Sequence, residues 1–226
     1  MNLKKGKEIL EKNPKLKNIL SKTYNNVSHN TKKIKGKNNE IDFKTSFIKN
    51  CNITIIGNNN KIIFGDMCYL INTKISIYGD NNEIILGNKV YVNSGDFYLE
   101  DSNNKLEIGE HTTFSGNTHL AITEGKSINI GKECLFSSNV VFRTGDSHSI
   151  LNEENERINC AKDIYIEDHV WFTQNTTILK GVKIKKDSIV ATGSIVTKEF
   201  EKSNIILAGS PAKIIKENIN WNKERM

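Results

Sequence analysis

Short aliphatic runs, each opened by an Asn-rich corner and closed by a glycine, return along this chain at a fixed interval. Asn58-Asn59-Asn60-Lys61-Ile62-Ile63-Phe64-Gly65 comes back as Asp80-Asn81-Asn82-Glu83-Ile84-Ile85-Leu86-Gly87, and again as Ser102-Asn103-Asn104-Lys105-Leu106-Glu107-Ile108-Gly109. Gly65, Gly87, Gly109 and Gly131 therefore stand 22 residues apart. Further on the interval shortens to 18, with Ile166-Glu167-Asp168 matching Ile184-Lys185-Lys186 and Trp171-Phe172 matching Ile189-Val190. Eighteen is three sixes. Fixed short periods mark a solenoid, and hexapeptides are one signature of a parallel β-helix. One coil cannot bury its own inner face, so coils must stack. The pattern predicts an all-β fold.

The same pattern sets the boundaries. Residues 1–33 form an N-terminal segment in which Ile9, Leu10, Leu16, Ile19 and Leu20 recur at helical spacing, predicting one or two short helices broken near Pro14. The coils occupy 34–206. Residues 207–226 begin with the turn-rich Leu207-Ala208-Gly209-Ser210-Pro211-Ala212-Lys213, and 213–225 read as a closing helix that caps the last coil's exposed strand edges. After Gly131 the next equivalent position is Glu167, a gap of 36 instead of 22 or 18. The surplus must leave the solenoid as a loop at about 144–163, and a long loop inside a regular repeat is usually functional.

Charge changes the picture at one end only. The net +6 is uneven: residues 1–37 hold eleven lysines against Glu8 and Glu11, whereas the rest of the chain is slightly acidic. Such a run is most often a solvated face, and it also suits a polyanion or an anionic membrane surface, so peripheral membrane contact is a second expectation. No nucleic-acid module with interleaved aromatics is present. No apolar stretch reaches the ~18 residues of a membrane span, and the charged N-terminus lacks a signal-peptide core, which predicts a cytoplasmic protein. Cys51, Cys68, Cys134 and Cys160 show neither metal-ligand nor CxxC spacing and read as buried reduced thiols. No metal site is expected.

The loop carries the candidate chemistry. His148 stands in it, with Asp146 two residues before. Histidine is the side chain whose proton affinity suits general-base work near neutral pH, and a carboxylate can orient it. A solvent-exposed loop histidine without a role is an equal reading of the residues alone. His169 reads as a surface corner; His29, His111 and His119 receive no role.

The block from Ile166 through Lys180-Gly181-Val182-Lys183-Ile184 and Ile189-Val190-Ala191-Thr192-Gly193-Ser194, closed by Ala208-Gly209-Ser210-Pro211-Ala212-Lys213, resembles the hallmark of the hexapeptide-repeat acyltransferases. Closer still, Asp146-Ser147-His148, Arg157-Ile158-Asn159, His169-Val170-Trp171 and the tail through Trp221 resemble the bacterial polysialic-acid and capsular-polysaccharide O-acetyltransferases. Glu167, Thr173 and Lys185 stand where that pattern often has Gly or a small residue. The resemblance implies a left-handed parallel β-helix and a homotrimer with sites between subunits. It implies an acetyl-CoA-dependent O-acetyltransferase of a surface glycan: capsular polysaccharide, sialic-acid-containing or not, or lipooligosaccharide. His148 would be the base and Trp171 would wall the thioester end or stack on a sugar. Thr173 and Ala191, 18 apart, would track the pantetheine arm of CoA. Gly209, Ser210 and Pro211 would shape the closure at the adenine, and Lys198, Lys213 and Lys216 would meet the phosphates. Two alternatives stand beside it: an N-acetyltransferase of a nucleotide-linked amino sugar or small molecule, and a polysaccharide-binding or -cleaving β-helix without CoA.

Overall fold

In the computed structural model, which describes residues 13–224, the chain winds into a three-sided parallel β-solenoid preceded by one helix. The first face runs from strand Thr31–Lys35 to Ile195–Val196, the second from Glu40–Asp42 to Lys183–Ile184, and the third from Phe47–Lys49 to Ile205–Gly209. Within each face every strand pairs in parallel with its equivalent one coil away. At the end an antiparallel strand, Ala212–Glu217, folds back on Ile205–Gly209.

The core is a set of columns, one residue per coil. On the third face Val92, Phe114, Phe136, Phe172, Val190 and Leu207 lie in register and are all fully buried. Phe136 stacks on Phe114 at 4.2 Å and on Phe172 at 4.7 Å between centroids. Each such side chain stabilises the fold by about 1.5–3 kcal/mol relative to exposure. The Asn corners form a second kind of column. Asn104 Nδ2 donates to Asn82 Oδ1 (2.9 Å), and Asn82 Nδ2 donates to Asn60 Oδ1 (3.1 Å), so buried amides pair along the axis and leave no donor stranded.

The spaced glycines are explained by approach, not by dihedral freedom. A Cβ on Gly65 would lie 2.5 Å from the Gly87 carbonyl carbon, and one on Gly109 equally close to that of Gly131. The bend between the second and third faces brings successive coils into contact there.

Helix α1, Pro14–Val27, opens with Asn13 accepting from Leu16 N and with Pro14 in its first turn. Pro14 starts this helix; the part of the predicted helical segment at 3–12 lies outside the described residues. The helix lies over the third face, where Asn25 bonds Ser46 O and Ile48 N, and Tyr24 reaches the Tyr69 hydroxyl at 3.0 Å. The first coil strand begins at Thr31, three residues ahead of the expected 34.

Among the described residues the closing helix expected over 213–225 is not formed. Residues 212–217 are the antiparallel strand, because the last parallel strand offers unpaired backbone groups that this segment satisfies. Beyond it the tail turns back over the third face, where Trp221 stacks on His169 at 4.1 Å and donates to its carbonyl oxygen at 2.9 Å.

Candidate active site

The chain leaves the prism after strand Val140–Arg143 and returns at Ile164–Ile166, at the edge between the first and second faces. The excursion is pinned, not loose. Leu151 and Arg157 form an antiparallel bridge, and Asn152 Oδ1 accepts from the amides of Glu154 and Glu156 at the tip. Asn159, buried, is the hub: its Nδ2 donates to His148 O (2.8 Å) and Asp146 Oδ2 (2.9 Å), and its Oδ1 accepts from Ile150 N (2.8 Å). Arg157 pairs with Glu124 of the preceding coil, which also receives Ala161 N.

His148 is exposed in this loop, and its backbone N–H donates to Asp146 O at 2.8 Å. That bond and the one from Asn159 hold the backbone on either side of it, and the imidazole itself has no hydrogen-bond partner among the described residues. The expected pairing with Asp146 is not made. The Asp146 carboxylate instead receives Lys180 Nζ and Asn159 Nδ2, and the Lys180 bond holds it below the usual carboxylate range. Lys180 also donates to Asn159 O at 2.8 Å. Asp146 therefore anchors the loop to the next coil and does not orient the His148 imidazole. Sequence reasoning missed both anchors, although the register contained one of them: Thr144 plus the 36-residue gap is Lys180.

Trp171 lies on another side of the prism. It projects half-buried from the third face, donating to Ser137 Oγ at 3.4 Å, with Trp221 5.7 Å away between ring centroids. No contact joins it to His148 within one chain among the described residues. Trp221 and His169, which also pairs with Asp187 at 2.9 Å, make up the rest of this cluster.

The residues expected to follow CoA fall into two groups. Thr173, Ala191 and Ala208-Gly209 line up along the edge between the third and first faces, one step beyond the paired Phe172, Val190 and Leu207. Ala191 N donates to Leu207 O, Gly209 N to Ser194 Oγ, and Thr173 Oγ1 to Val190 O. Gly193 on this edge has open space where a side chain would point. Ser210 and Pro211 form the exposed turn at its end, and Lys213 and Lys216 extend from the antiparallel strand beside it. These residues fit an extended, amide-bearing arm with an anionic end. Lys198 does not join them: it follows Ile195–Val196 on the edge that carries the loop, with its ammonium 5.7 Å from the Phe200 ring.

No family model matches the chain. Among solved structures, that of the polysialic acid O-acetyltransferase OatWY superposes with a TM-score of 0.84 at 37% identity, covering 87% of this chain and 93% of that one. The polySia-specific acetyltransferase NeuO superposes with a TM-score of 0.80 at 32% identity, over 86% and 89%. The polysialic acid O-acetyltransferase of Escherichia coli O1:K1 / APEC is 42% identical over 83 residues, a stretch that covers 36% of this chain and only 27% of that relative's length. With a three-sided solenoid, a pinned excursion loop and near-complete superposition on two such enzymes, the chain belongs to the family of the polysialic acid O-acetyltransferases.

Proposed function

We propose that the chain is an acetyl-CoA-dependent O-acetyltransferase of a bacterial capsular polysaccharide, with a sialic-acid polymer as its acceptor. The superposition on OatWY over nearly the whole of that chain carries the reading. Acetyl-CoA supplies an activated acetyl group. The protein must supply a base, because a sugar hydroxyl is a poor nucleophile at neutral pH. His148 suits this role: its loop is fixed on both sides, and its ring is left without an internal partner among the described residues. It would take the hydroxyl proton as the sugar oxygen bonds the acetyl carbonyl carbon and return it to the sulfur as the thioester C–S bond breaks and CoA leaves as the thiol, while Trp171 walls the reacting centre and backbone amides beside it bind the developing oxyanion.

The reading includes a homotrimer with sites between neighbours, since His148 and Trp171 stand on different sides of one prism. It places the reaction in the cytoplasm. Helix α1, with Leu16, Ile19, Leu20 and Val27 exposed beside a lysine-rich sequence, supports peripheral contact with an anionic surface. Among the described residues no helix is long and apolar enough to cross a membrane.

His148→Ala tests the core of the reading. The variant should keep its melting temperature and its stabilisation by CoA, and lose about 10²–10⁴-fold in turnover. Turnover near that of the unaltered enzyme would remove His148 from the mechanism.

A further inference from the structure

The edge between the third and first faces is not uniform along the prism. From buried Ile48 to Ile53, from Leu70 to Ile75 and from Val92 to Phe97 the chain turns it in five positions; from Phe114 to Leu120, Phe136 to Phe142 and Phe172 to Ile178 it takes six. The added residue enters at Ser115-Gly116-Asn117-Thr118. It sets Asp96 opposite His119, 23 residues on, where Lys74 to Asp96 and His119 to Val141 are both 22. At this step a groove of about 450 Å³ opens, lined by Asp96, His119, Asn72, Asn117, Asn139 and Val141 among others.

Its chemistry is specific. Asp96 Oδ2 lies 3.1 Å from His119 Nδ1, and the Asp96 Oδ1 atom is buried with no hydrogen-bond partner among the described residues. The bond to His119, with Lys74 adding its charge, holds the Asp96 carboxyl below the usual range, so it is ionised at neutral pH. A carboxylate on Nδ1 fixes the imidazole and leaves Nε2 for another partner. The Asp96 side chain is 39% exposed and its carboxylate offers an acceptor beside the imidazole to an occupant of the groove. Hydrogen-bonding amides, a fixed imidazole and a carboxylate beside a valine side chain suit a ring with neighbouring hydroxyls and an apolar face, which is a sugar.

Position gives the groove its role. Asn139 Nδ2 donates to Asn175 Oδ1 (3.0 Å), linking the groove to the edge that bears Thr173 and Ala191. His119 is two coils from Thr177, about 10 Å at ~4.8 Å per coil. We propose that this groove is a subsite for a sugar residue of the acceptor glycan, next to the residue that receives the acetyl group. The proposal rests on the acetyltransferase reading above.

Asp96→Asn, His119→Gln and Asn117→Trp test it, the last filling the groove from an exposed corner should either of the others fail to fold. Polysialic acid fragments serve as the probe, in acetyl-transfer kinetics and in binding calorimetry without CoA. We expect kcat/KM for the fragments to fall about tenfold and their binding to weaken to match, with the KM for acetyl-CoA within about twofold. Unchanged acceptor kinetics and binding in folded variants of an active enzyme would overturn the subsite alone. If the unaltered protein neither acetylates nor binds the fragments, both the acceptor reading and the subsite fall.

Discussion

Asp146 makes different contacts from those its place in the sequence suggests. Its place two residues before His148 suggested an orienting carboxylate, yet its partners are Lys180 and Asn159. Proximity in sequence could not reveal a lysine from the next coil, which arrives only through the 36-residue register. The pairing has a pH signature. A carboxyl held below its ordinary value supports the docked loop at all pH above that value, about 3.9 for aspartate, and the support fades as pH falls through the lowered one. Lys180→Met removes the cause. Asp146 should then titrate near the ordinary value in a carbon-detected NMR titration, and the loop tip at Asn152–Glu156 should be cut faster by protease. Turnover should drop about tenfold, because a misplaced base loses its geometry. An unmoved titration would show that Lys180 does not set the state of Asp146. His119 is the converse case: at its place in a regular coil it drew no role, and only the one-residue step in the edge pairs it with Asp96.

At the scale of elements, the coils were legible because stacking repeats the same demands every turn. The 22-residue glycine interval is the clearest mark, and its cause is steric: a Cβ on Gly87 would lie 2.5 Å from Glu110 N. Gly87→Ala should therefore cost about 3 kcal/mol in denaturant unfolding by forcing adjacent coils apart. A loss below ~1 kcal/mol, or the gain of up to ~1 kcal/mol that alanine gives at an unstrained glycine position, would mean the coils adjust freely. The amide column is a second case. Asn82→Ala takes the Oδ1 acceptor from both Asn104 N and Asn104 Nδ2, and about 2–4 kcal/mol of stability should go with it. An unchanged unfolding midpoint would show that water replaces the amide. Two elements were not legible. The strand Ala212–Glu217 is rich in Lys, Ile and Glu and reads as a helix until the free edge of Ile205–Gly209 is in place to pair with it. The five-to-six step on the edge between the third and first faces escapes a glycine count, because the 22-spaced glycines lie between the second and third faces.

Across the whole molecule, the two residues most closely tied to the proposed chemistry stand on different sides of one prism, His148 in the loop between the first and second faces and Trp171 on the third. Within one chain the two stand apart, and the proposed homotrimer would bring the loop of one copy against the third face of the next, each copy using unlike surfaces toward its two neighbours. That arrangement predicts complementation. His148→Ala and Trp171→Ala chains should each be nearly inactive alone. Co-expressed in equal amounts and purified without separating the assemblies, they should recover about a quarter of the sites of the proposed trimer, since a site drawing the two residues from neighbouring chains is intact when both happen to be unaltered. If both residues of a site came from one chain, no chain in the mixture would hold the pair, and activity would stay at background. Sedimentation of the unaltered protein provides the matching control: a monomer active at assay concentration would rule out the shared site. Recovered activity that vanishes on dilution below the dissociation constant of the assembly would tie the chemistry to association between copies.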